Sequence, residues 1–81
     1  MPSDDLRIDD VLIAYGDACA TLTPRIKTRL RALDPGSILE VRTDDPAAHE
    51  ALGAWSRLTG HPIVAVDQLD GRRAAYLIRK R

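Results

Sequence analysis

The sequence predicts an α/β (α+β) fold: a two-layer sandwich in the order βαβαββ, with a mixed four-stranded sheet and both helices on one face. Three observations predict it. Short apolar runs alternate with two amphipathic stretches, so strands and helices alternate through most of the chain. A two-residue hairpin signal, Asp70-Gly71, then joins two consecutive strands. Two helices cannot cover both faces of a four-stranded sheet, so they share one, and the other stays open to water or a partner. The βαβ crossovers are expected to be right-handed.

Each element has a local reason. Residues 1–5 read as a frayed polar lead. Val11 to Tyr15 is a continuous apolar run with the character of a strand, starting nearer Ile8. Leu22, Ile26, Leu30 and Leu33 form one helical stripe. Thr21 or Thr23 can cap that helix, and Pro24 is tolerated only in a first turn. The expected helix therefore runs over 22–33, with Cys19 just before it, and Asp34-Pro35-Gly36 stops it. Ser37 to Arg42 reads as the second strand. Asp44 and Asp45 read as capping residues, with Asp45 as N-cap and Pro46 as first residue of a second helix that ends at Gly60. Ala48, Ala51, Leu52, Trp55 and Leu58 are its expected inner face. Pro62 to Leu69 is the third strand. Arg72 to Lys80 is the fourth, with Ala74, Tyr76 and Ile78 on one face and Ala75, Leu77 and Arg79 on the other. Arg79, Lys80 and Arg81 read as a solvated tail.

At 81 residues the chain is one domain, spanning 1–81, with a modest core. Hydrophobic residues make up 44% and charged residues 30%, which argues against disorder. Tyr15, Trp55 and Tyr76 are the only aromatic residues, so the core is aliphatic and a base-stacking nucleic-acid surface is not expected. Twelve basic and twelve acidic residues cancel, but unevenly. Five acids lie in residues 1–20, while Arg25, Lys27, Arg29 and Arg31 follow in the first helix. A neutral total thus conceals a basic helix face, which reads either as solvated or as a dock for an acidic partner. Arg25 and Arg29 share a side one turn apart and lie nearest the cysteine.

Cys19 is the single cysteine, so no internal disulfide can form. It follows a strand and the small residues Gly16-Asp17-Ala18, and it precedes a helix. A helix N-terminus offers unpaired N–H groups and partial positive charge, which favour thiolate over thiol. The bland alternative is a small buried side chain. No cofactor motif is present. His49, His61 and Cys19 lack metal-ligand spacing, so no metal site is expected. His61 is expected to bond backbone or solvent. No stretch approaches the apolar length of a membrane span, and the acidic start lacks a signal-peptide core, so a reducing cytoplasm is expected.

The chain resembles the TusA/SirA family of small sulfur carriers from Ile8 to Lys80. The resemblance rests on Gly16-Asp17-Ala18-Cys19, on Leu33 to Val41 with its Asp34-Pro35-Gly36, on Thr43-Asp44-Asp45-Pro46-Ala47, on Trp55 to His61 and on Tyr76 to Lys80. It implies that Cys19 is the nucleophile, bearing a persulfide. The implied partners are a sulfur donor, a cysteine desulfurase or a rhodanese-like protein, and an acceptor protein. One departure stands out. The family motif is Cys-Pro-x-Pro, whereas here Cys19-Ala20-Thr21-Leu22-Thr23-Pro24 lacks both prolines. A longer, looser approach to the helix follows, with Thr21 and Thr23 hydroxyls supporting the thiolate. The competing readings are a non-catalytic interaction module in which Cys19 is structural, and a redox sensor using Cys19 in an intermolecular disulfide. The open sheet face permits a monomer or a weak homodimer.

Overall fold

In a computed structural model, which describes residues 7–81 and shows Cys19 and Ala20 through their backbone, the sheet and helices follow the expected order. They are β1 (Ile8–Ile13), α1 (Cys19–Arg31), β2 (Ile38–Thr43), α2 (Ala48–Thr59), β3 (Ile63–Asp70) and β4 (Arg73–Arg79). The expected polar lead over 1–5 lies outside the described residues. The strands are arranged β1-β2-β4-β3. β1 and β2 are parallel, as an intervening helix requires, and β4 runs antiparallel between β2 and β3.

Register separates the two faces. Leu12 lies beside Val41, and Val41 is opposite Tyr76. With Ala14, Leu39, Ala74 and Ile78 these residues meet Leu22, Ile26 and Leu30 of α1 and Ala48 and Leu52 of α2 in one aliphatic core. Leu33, Trp55 and Ile63 pack around it. The α1 stripe and the alternation along β4 therefore fall as the sequence predicts. On the uncovered face Ile8, Val11 and Ile13 of edge strand β1 are exposed, while Ile38, Ala75 and Leu77 on the two central strands are shielded.

Several boundaries differ from expectation. α1 begins at Cys19, not after it, and Pro24 lies inside the helix. The turn closes ahead of the proline because Thr21 and Leu22 both donate backbone N–H groups to the Ala18 carbonyl, each at 3.0 Å. Pro24 then forfeits one bond, the one that would end on the Ala20 carbonyl. Leu22 and Ile26, fully buried on either side of it, contribute roughly 1.5–3 kcal/mol each by burial, enough to hold the helix through that loss.

At α2, Pro46 and Ala47 form a turn before the helix, and the N-cap is Ala47. Asp45 still caps that turn: its Oδ1 accepts the Ala47 N–H at 3.0 Å. Leu58 is 86% exposed, not on the inner face. The buried stripe runs through Ala48, Leu52 and Trp55, and at about 100° per residue Leu58 falls roughly 90° from its centre, on the flank of the helix. The β3–β4 loop is Gly71-Arg72, one residue later than expected, because Asp70 pairs with Arg73 across the ladder. Gly71 has φ +36° and heads the two-residue loop, the position that type II′ reserves for glycine.

The basic tail is not solvated throughout. Lys80 donates its backbone N–H to Ser37 and accepts from Gly36, at 2.7 and 2.8 Å. Its Nζ donates to the Leu30 carbonyl at 2.7 Å, placing a cation at the negative end of α1. A chain end that continues β4 alongside the Pro35-Gly36 turn carries this lysine to the helix.

Candidate functional site around Cys19

The site begins where β1 ends. The Ala14 N–H bonds Arg42 of β2 at 2.8 Å, so the parallel pairing reaches one residue past the strand. The chain then turns from Ala14 to Asp17, closed by the Asp17 N–H on the Ala14 carbonyl at 3.2 Å. Gly16, third in that turn, has φ +84°, the left-handed value that a type II turn requires there. Ala18 follows in an extended conformation (φ −74°, ψ 153°) as the N-cap, and Cys19 is the first residue of α1.

This helix end carries no side-chain cap, and its first turn holds no acidic residue. The backbone N–H groups at Cys19 and Ala20 come too early in the helix to have an acceptor within it. Such groups, with the dipole behind them, stabilise an anion at the N-terminus. The missing motif prolines therefore do not lengthen the approach to the helix.

The other predicted residues are placed as follows. The Thr21 hydroxyl donates to the Ala18 carbonyl at 2.9 Å and so braces the first turn. Thr23, half-buried, lies four residues after Cys19, one turn along the helix. Arg25 forms an ion pair with Asp17, two residues ahead of the cysteine. Arg29 pairs with Asp10 at 3.0 Å and also donates to the Val11 carbonyl at 3.3 Å. Both arginines remain about half exposed, at 47% and 42% of the side chain. Lys27 and Arg31, exposed and one turn apart, lie on a different side of the helix, and none of these ion pairs includes them.

Asp44 does not cap α2. Its Oδ1 accepts the Gly16 N–H at 2.8 Å, across 28 residues of sequence. Asp45, with the Thr43 hydroxyl, holds the turn into α2. The signal available in the sequence was one aspartate too many in Asp44-Asp45-Pro46 for a single cap. Asp17 was likewise missed, because its partner lies eight residues on in another element. Gly16, Asp17 and Ala18 share a cleft of about 310 Å³ with Asp44, Asp45, Pro46 and Arg72.

The histidines are elsewhere. His61 Nδ1 accepts the Arg81 N–H at 3.1 Å, the backbone bond expected of it, and its ring stacks on Trp55 at 5.7 Å. Burial, with Lys80 and Arg81 nearby, pushes its pKa down. Within β2, Glu40 is buried beside Arg42, and that carboxylate raises the guanidinium's pKa. Among the described residues no three His, Cys, Asp or Glu side chains gather as metal ligands would. No helix of the described chain is long and apolar enough to cross a membrane.

A family model described as Sulfurtransferase TusA matches residues 13–80. The chain belongs to the TusA family. It is 30% identical over 80 residues to the sulfur carrier protein TusA of Pseudomonas savastanoi pv. phaseolicola, covering 99% of this chain and 94% of that one. It is 39% identical over 59 residues to the candidate sulfur carrier protein YrkI of Bacillus subtilis, covering 73% and 79%. A second candidate carrier of that organism, YrkF, is 31% identical over 70 residues, covering 86% of this chain but 37% of YrkF. The match to TusA of Pseudomonas runs nearly end to end on both sides.

Proposed function

We propose that this TusA-family protein is a sulfur carrier in which Cys19 holds a transient persulfide and relays it to a partner protein. The observation that carries the reading is the position of Cys19: the first residue of an uncapped helix N-terminus, within the segment that matches the family. A thiolate there attacks the terminal sulfur of a donor protein's persulfide. A bond forms between Cys19 Sγ and that sulfur, the donor's S–S bond breaks, and the donor leaves as thiolate. Transfer to the acceptor cysteine repeats the exchange in the opposite sense. Electrons balance in each step, so no external oxidant or reductant is needed.

The donor is a cysteine desulfurase or a rhodanese-like protein, and the acceptor is a protein thiol. No direct contact with nucleic acid and no cofactor are required, and the reading places the protein in the cytoplasm. The basic side of α1 is the docking surface. Arg25 and Arg29 brace it through Asp17 and Asp10 while keeping half their surface, and Lys27 and Arg31 add exposed charge. Of the two threonines, Thr23 is the one left to support the thiolate in this reading, since the Thr21 hydroxyl proton is engaged by Ala18.

Intact-protein mass spectrometry tests the reading after incubation with a cysteine desulfurase and cysteine. The wild type gains about 32 Da, removed by reductant, as a reversible persulfide does. Cys19→Ser gains nothing and keeps the fold. Loading of the serine variant, or a wild type that stays unloaded and is slow towards iodoacetamide at neutral pH, overturns it. The second result would support an interaction module with an inert Cys19.

A further inference from the structure

We infer that Asp44 is a positioning residue for the thiol: it fastens the Gly16 turn to the end of β2 and so fixes how Cys19 enters the helix N-terminus. The inference deepens the carrier reading and rests on it for its functional meaning. Four observations support it. The turn ahead of Cys19 makes one backbone bond of its own, from Asp17 to Ala14, which leaves the Gly16 N–H open to an acceptor from elsewhere in the fold. Asp44 supplies that acceptor at 2.8 Å from a strand end already tied to β1 through Ala14 and Arg42. Asp45 and Thr43 hold the following turn, through Ala47 at 3.0 Å and Asp45 at 3.2 Å, so Asp44 has no part in starting α2. Finally, Gly16 has φ +84°, a conformation that glycine adopts without strain but as one of many open to it, so the turn depends on its hydrogen bonds to keep it.

Asp44 acts in two opposed ways, and two variants separate them. Its charge, lining the same cleft as Ala18, disfavours the Cys19 thiolate. Its hydrogen bond favours the thiolate by holding the helix end in register with the cysteine. Asp44→Asn and Asp44→Ala both remove the charge, but only asparagine keeps an oxygen that can accept from Gly16. The comparison between them therefore isolates the tether.

The experiment is the pH profile of Cys19 alkylation by iodoacetamide, with the sulfur-loading rate beside it. Loss of the helix-end alignment is worth about a threefold fall in thiolate fraction, the scale of a helix-terminus effect on one charge. The alanine variant is therefore expected to titrate higher than the asparagine variant and to load sulfur about threefold more slowly. Equal alkylation profiles for the two variants overturn the inference. The alkylation profile needs no sulfur donor. A chain that never loads sulfur, yet shows the difference between variants, loses the carrier reading and keeps the tether. Should the alanine variant unfold, amide exchange at Gly16 decides. Protection in both wild type and Asp44→Asn supports the tether, and an unprotected amide in either overturns it.

Discussion

Replacing Pro24 with alanine should stabilise the protein, although Pro24 lies in a helix that forms. The proline occupies the sixth position of α1, past the turn in which a missing N–H costs nothing. Alanine restores a donor for the Ala20 carbonyl and removes the ring that crowds it. In a helix interior that difference is about 3 kcal/mol. Two effects reduce it. Alanine frees the unfolded chain, which takes back roughly 0.4–1 kcal/mol. The helix has also already adjusted around the ring, so part of the crowding is relieved. Pro24 is exposed, so little packing is lost, and the Thr28 hydroxyl bond to the residue-24 carbonyl at 3.0 Å survives the change. The expected net gain is about 1–2 kcal/mol. For a domain of this size that raises the melting temperature by roughly 4–8 °C per kcal/mol. With a urea slope of about 1 kcal/mol/M, the unfolding midpoint rises by about 1–2 M. Circular dichroism during thermal and urea unfolding measures both. A midpoint that stays put or falls would show that the first turn of α1 does not depend on the bond the proline removes.

Two further substitutions probe the closure of the fold. Lys80→Met removes the cation that donates to Leu30 at the end of α1 and leaves that carbonyl without this partner. A loss of about 1–2 kcal/mol in urea unfolding is expected, and an unchanged midpoint would show that the contact contributes nothing. His61 is held neutral by burial and by the nearby cations, so its folded pKa lies below its unfolded value near 6.5. The unfolded state then binds the proton first as pH falls. His61 contributes no pH dependence well above 6.5 and progressively destabilises the fold as pH drops through 6.5 towards its folded pKa. His61→Asn, which keeps an acceptor in place of Nδ1, should therefore lose less stability than wild type between pH 7.5 and pH 5. Parallel stability–pH curves for the two proteins would refute the assignment.

Much of this fold could be read from periodicity because each element buries a single face. The stripe at 22, 26, 30 and 33 and the alternation of Ala74, Tyr76 and Ile78 against Ala75, Leu77 and Arg79 are direct imprints of one core. The misreadings share a different cause. Pro24 looked like a helix start, because local propensity says nothing of Leu22 and Ile26 being buried on both sides of it. Leu58 looked like core because it follows Trp55 by one turn, although it falls on the flank of the stripe and is exposed. Lys80 looked like tail because its acceptor, Leu30, lies 50 residues away. The site divides in the same way. The strand–turn–cysteine–helix order around Cys19 was legible. The tethers Asp44–Gly16, Asp17–Arg25 and Arg29–Asp10 were not, since each joins residues that only the folded chain brings together.

Those tethers bear on what the loss of Cys-Pro-x-Pro does here. In that pattern the prolines fall at positions 20 and 22. A proline at 20 deletes an N–H that has no acceptor within the helix and is free to face an anion. A proline at 22 deletes the bond from Leu22 to Ala18, which this chain makes at 3.0 Å. With Ala20 and Leu22 in place, the helix end keeps one more donor for a thiolate and closes its first turn by its own hydrogen bonds. The missing bond has moved to Pro24, between the first turn and the rest of α1. The backbone donors of the helix end are therefore retained, and the rigidity that proline rings give the motif is what has been removed. Asp44 on the Gly16 turn, Asp17 on Arg25 and the Thr21 hydroxyl on Ala18 restrain the same few residues from outside the helix and from within it. A turn fixed by side chains in this way can open when one of them is drawn to a partner. The pair Asp17–Arg25, half exposed and two residues from Cys19, is the one that a docking surface with a charge of its own would reach.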